Sequence, residues 1–61
     1  MMKIGSVVRL NSESDLMTVS YLRLDLPGED ILGVTCVWFN VNSEIQLAEF
    51  RPEMLTVVTG D

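Results

Sequence analysis

Histidine is absent from this 61-residue chain, cysteine occurs once, and four basic residues face nine acidic ones. Each shortage closes a class of function. A single cysteine permits no intrachain disulfide, and without histidine the commonest metal ligand is missing. No set of nucleophile, general base and oxyanion-binding group can be assembled from the remaining side chains. The chain therefore reads as a non-enzyme, with no cofactor and no metal. Gly5, Gly28, Gly33 and Gly60 are scattered, and no glycine-rich run leads into the Lys-Ser or Lys-Thr pair that cradles phosphate. Lys3, Arg9, Arg23 and Arg51 do not cluster, and a net charge of −5 opposes the phosphate backbone of nucleic acids.

Long apolar runs are missing too. The longest, residues 34–41, is interrupted by Thr35 and Asn40 and is far too short to span a bilayer. With one cysteine and no secretory or membrane-spanning segment, the expectation is a cytoplasmic protein that does not engage a membrane. Residues 1–61 are expected to form one small domain, and a domain of this size buries only about 60% of its unfolded surface. Disulfides and metals being closed off, self-association or a protein partner is the remaining way to enlarge the core.

What is present is a series of short segments rich in β-branched residues. Five strands are expected, at residues 5–10, 16–24, 33–40, 44–50 and 55–58. In the first, Val8 and Leu10 share a face. In the second, Met17, Val19 and Tyr21 share one face and Leu22 and Leu24 fall on the other, a conflict that a bend or bulge near Ser20 reconciles. The polar cluster 11–15 reads as a turn, and residues 25–32 as a loop around Pro27-Gly28. Val41-Asn42-Ser43 is a tight connection, in which Asn supplies the left-handed conformation. Arg51-Pro52-Glu53-Met54 reads as one helical turn with proline early. No window sustains a 3.6-residue apolar period. The fold class predicted is all-β, a small SH3-like barrel of about five short antiparallel strands, closed so that no sheet edge is exposed.

The chemically suggestive residues resolve into structural ones. Cys36 lies mid-strand between Thr35 and Val37, with no base or cation beside it to make a thiolate, and reads as a small core residue. Asn11, Glu13 and Asp15 alternate as calcium ligands do. Leu16, however, stands where that loop needs glycine, and Leu22 where it needs the closing glutamate. These acids, and Asp25, Glu29 and Asp30, are expected to be solvated turn residues. Tyr21, Trp38, Phe39 and Phe50 supply rings but no basic groove to go with them, so Trp38 is expected to anchor the core rather than stack on bases. A barrel this small is also not expected to enclose a cleft for a small-molecule substrate.

Gly5-Ser6-Val7-Val8-Arg9-Leu10-Asn11-Ser12, Met17-Thr18-Val19, Cys36-Val37-Trp38-Phe39, and then Phe50 and Leu55 follow one another in an order that resembles the YodC-like family of small bacterial proteins. The resemblance spans nearly the whole chain and implies a compact cytosolic bacterial protein, with no established activity. Glu13-Ser14-Asp15 replaces the Gly-Gly-Pro turn usual in that family, and the stretch from Ser20 to Leu32 is longer than usual.

The sharpest functional expectation comes from an excess of apolar residues. If the 41–43 loop pairs Asn40 with Glu44, Trp38 lies opposite Gln46, Cys36 opposite Ala48 and Val34 opposite Phe50 on one face. Val37 then lies opposite Leu47, and Phe39 opposite Ile45, on the other. A domain of this size can hardly cover both faces, and curvature or the 25–32 loop is the available cover for the second. The expected function is a non-catalytic interaction module that self-associates or binds a protein through Val37, Phe39, Ile45 and Leu47. The alternative is a nucleic-acid-associated regulator, on fold analogy alone.

Overall fold

The computed structural model describes residues 2–12 and 15–60. They form five strands and one 3-10 turn: β1 (Val7–Leu10), β2 (Leu16–Asp25), β3 (Asp30–Phe39), β4 (Ile45–Phe50), η1 (Pro52–Met54) and β5 (Leu55–Thr59). All pair antiparallel in a single sheet ordered β4-β3-β2-β1-β5. The all-β class and the helical turn before the last strand follow the expectation. Closure does not, for β4 and β5 end the sheet without pairing to each other, so the barrel is approximate. The register shifts between Val7 and Val8, between Val19 and Tyr21, and between Arg23 and Leu24. Such irregularities bend strands and steepen their twist, which wraps the sheet around its core without joining its ends.

The expected irregularity at Ser20 is present, but its consequence differs. Met17 and Val19 are buried, and after the shift Leu22 packs against the core while Tyr21 turns outward, 59% exposed. An extra residue moves every later side chain to the opposite face, so Tyr21 does not share a face with Met17 and Val19.

The loop expected at residues 25–32 shrinks to four residues, 26–29. Asp25 pairs with Asp30 and Leu24 with Ile31. Glu29 takes the left-handed conformation (φ 62°), and its N–H donates to the Asp25 carbonyl at 2.6 Å. The turn is therefore tight enough for the strands to pair down to its base. Two ten-residue strands at about 3.3 Å per residue account for a molecule 40 Å long and 18 Å across.

The core comprises Val8, Met17, Val19, Val34, Cys36 and Leu55, drawn from β1, β2, β3 and β5, with Leu10, Leu22, Ile31, Trp38, Phe50 and Val57 half-buried around it. Trp38 is thus a flank of the core rather than its centre, and its ring lies 6.2 Å from that of Phe50, tilted by 45°. The two ends of the chain are held by a residue whose role the sequence does not announce. Ser6, fully buried, accepts from the Lys3 N–H (3.0 Å) and donates to the Gly60 carbonyl (2.8 Å). Gly60 (φ 83°) can approach because a Cβ there would lie 3.2 Å from the Ser6 Cα. Ser6→Ala removes both side-chain hydrogen bonds, each worth about 0.5–1.5 kcal/mol, so urea unfolding should show a loss of about 1–3 kcal/mol. A change below the measurement error would mean that the latch contributes nothing.

Candidate functional site

The connection from β3 to β4 decides which side chains face out. Asn40 Oδ1 accepts from the N–H groups of Asn42 (2.9 Å) and Glu44 (3.0 Å), and its Nδ2 donates to Glu44 Oε1 (3.0 Å). The Asn40 N–H donates to the Glu44 carbonyl, and the Ser43 N–H to the Asn40 carbonyl. Ser43, not an asparagine, takes the left-handed conformation (φ 61°). A type I turn followed by one left-handed residue is a standard three-residue hairpin, and asparagine suits its first position because its side chain mimics a backbone acceptor. The resulting register is the one alternation predicts: Trp38 opposite Gln46, Cys36 opposite Ala48, Val34 opposite Phe50, Val37 opposite Leu47 and Phe39 opposite Ile45.

All four proposed contact residues therefore lie together on the outer face. Phe39 is 70% exposed and Ile45 and Leu47 each 66%, whereas Val37 is half-buried. Neither curvature nor the 26–29 turn covers Phe39, Ile45 or Leu47. The sheet adds residues that inspection of one hairpin misses. Thr18 pairs with Val37, and Leu16, Thr18, Val37, Phe39 and Ile45 line one shallow depression of about 180 Å³. Val41, at the hairpin tip, is 95% exposed. Leu16 could be found from the sequence only with the β2–β3 register, which contains two shifts.

Asp15 and Glu44 border this patch at the hairpin-turn end, and Glu49 borders it at the other. Glu49 reaches back across Gly33 to Arg23, with Nε–Oε2 at 3.1 Å and Nη2–Oε1 at 3.4 Å. A Cβ on Gly33 would lie 2.6 Å from the Glu49 Cδ, so glycine is what lets the carboxylate lie flat over β3. The hydrogen bond to Glu49, and its charge, raise the Arg23 pKa above its ordinary value. Asp25, Glu29 and Asp30 sit at the far tip of the β2–β3 hairpin, beyond the Val34–Phe50 pair where β4 ends.

Cys36 and Asn11 are each taken up in the structure. Cys36 is buried and unbonded to another thiol, and burial pushes its pKa up. Asn11, once a candidate ligand, has its amide engaged, with Nδ2 donating to the Glu53 carbonyl and Oδ1 accepting from Thr56. Glu13 lies outside the described residues. Among those described, no three His, Cys, Asp or Glu side chains are placed to hold a metal ion. No helix among them is long and apolar enough to cross a membrane.

A raised thiol pKa in the folded state means that the unfolded chain loses its proton first. Stability from this group is complete below the ordinary thiol value and is lost as pH rises through it toward the folded-state value. Native protein should resist iodoacetamide at neutral pH and react promptly in denaturant, and Cys36→Ala should remove part of the alkaline loss of stability. Rapid native labelling would show that Cys36 is accessible. Compared with known proteins, the chain matches no family model, no curated protein and no solved structure.

Proposed function

We propose that this chain is a non-catalytic interaction module that associates, with a second copy or with a protein partner, through Val37, Phe39, Ile45 and Leu47. The observation that carries this reading is an inversion of size. The fully buried apolar side chains are Val8, Val19, Val34 and Cys36, whereas Phe39, Ile45 and Leu47, all larger, stand mostly in solvent side by side. Burying a Leu, Ile or Phe side chain is worth about 1.5–3 kcal/mol. A small domain that leaves three of them adjacent and uncovered retains that free energy for association.

The same reading takes the protein as cytoplasmic and related to the YodC-like family, supported by the free, buried Cys36 and by the order of the sequence motifs. Support for nucleic-acid binding is weaker. Arg23 is held by Glu49, and the Arg9 guanidinium is directed to the carbonyls of Leu10 and Asn11.

Because Phe39 and Leu47 are exposed, Phe39→Asp combined with Leu47→Asp should change stability by only about 0.5 kcal/mol per site. Light scattering and affinity capture should both show association lost in the folded double variant. A folded double variant that associates as the wild type does would contradict the assignment.

A further inference from the structure

We propose that a second copy of this chain pairs with the free edge of β4, antiparallel and centred on Gln46, so that two five-stranded sheets become one of ten strands. This rests on the interaction face described above and names its occupant.

The backbone geometry supplies the argument. Asn40 N–H bonds the Glu44 carbonyl, so Asn40 and Glu44 form a hydrogen-bonded pair across the hairpin. In an antiparallel ladder such pairs alternate, so Gln46, Ala48 and Phe50 turn their backbone groups toward β3. Ile45, Leu47 and Glu49 turn theirs outward, and β4 is the last strand of the sheet, so among the described residues no strand receives them. The residues with open backbone groups are thus the ones whose side chains make the apolar face.

The β4 edge also lacks the features that protect edges from pairing. It runs six residues in unbroken register with β3, contains no proline or lysine, and carries no bulge. Its one mid-strand charge, Glu49, is folded back onto Arg23. The other edge differs. β5 pairs with β1 through a register shift, and Val58 is the one large apolar side chain it exposes.

Three registers about a two-fold axis match outward groups of β4 to outward groups, and centring on Ala48 places Leu47 opposite Glu49 of the partner copy. Centring on Leu47 places Ile45 opposite Glu49 of the partner copy. Centring on Gln46 places Ile45 opposite Leu47 and gives four backbone hydrogen bonds, two for each Ile45–Leu47 pair. The Gln46-centred arrangement joins the patches of Phe39 and Ile45 in one copy and Leu47 and Val37 in the other into one apolar strip. A stable interface takes about 800 Å² from each partner. This chain exposes 4306 Å², so about a fifth of its surface is needed, to which the β4 edge and the side chains beside it contribute.

Sedimentation equilibrium and amide hydrogen exchange on the wild-type protein test this together. The expected result is a dimer in which the Ile45 and Leu47 amides exchange at least tenfold more slowly than in dilute monomer while Glu49 stays fast. A dimer with all three amides fast is joined by faces alone, which overturns edge pairing and leaves the interaction face standing. A dimer with all three slow overturns the Gln46-centred register. A monomer at several hundred micromolar overturns self-pairing, and the face is then tested by capture of a different protein with the Phe39 and Leu47 variants. Chemical synthesis with N-methyl-leucine at position 47 removes one outward donor and keeps the side chain. It should weaken the dimer at least tenfold, and an unchanged dimer would overturn the proposal. If that protein does not fold, the exchange pattern of the unmodified chain decides.

Discussion

Three hydrogen bonds made by the Asn40 side chain fix the 40–44 turn, and the turn fixes everything that the β3–β4 hairpin presents. Side chains alternate along a strand, so a slip of one residue would send Phe50 and Ala48 outward and bring Leu47 and Glu49 against the core. The Arg23–Glu49 pair would then be lost along with the outer patch. With the register fixed, Cys36 and Val34 complete the core while Val37 and Phe39 remain outside. One local turn thus decides both which residues stabilise the domain and which are left exposed on the outer face.

Size explains why that division is uneven. Five strands wrapped about a core of six buried apolar residues leave little interior volume, and most of it is taken by valines and one cysteine. The large side chains of β3 and β4 cannot all enter. Trp38 and Phe50 lie half-buried along the core's flank, and Phe39, Ile45 and Leu47 stay on the far side of the sheet. The lack of closure adds to this. A closed barrel would have consumed the β4 edge, whereas the open sheet leaves backbone groups unpaired beside the same apolar residues. Of the acidic residues, Asp25, Glu29 and Asp30 lie at the distant hairpin tip and Glu49 is folded onto Arg23, whereas Asp15 and Glu44 border the patch.

Features set by period-two alternation and by turn chemistry were legible in the sequence. The pairing of residues 34–39 with 45–50, the buried position of Cys36, the proline-led turn before the last strand and an irregularity near Ser20 all follow from such local rules. Features that depend on pairing between distant segments were not. Tyr21 changes face because a bulge adds one residue to β2 relative to β3, and Leu16 joins the outer patch only once that register is known. Residues 25 and 30–32 extend the strands because the turn between them is tighter than its composition suggests. Ser6 gains its importance from Gly60, fifty-four residues away. The sheet edges stayed open because strand count alone does not determine closure, which also needs matched tilt and stagger.

The central proposal is that this protein meets a second copy of itself along the β4 edge, beside the outer apolar face of the β3–β4 hairpin. The most direct measurement is a dilution series of methyl and aromatic NMR spectra from the millimolar to the low-micromolar range. The account predicts concentration-dependent shifts for Val37, Phe39, Ile45 and Leu47, with Val8, Val19 and Val34 unchanged. Spectra that stay the same throughout in a protein that sediments as a monomer, or shifts confined to residues away from this face, would contradict it.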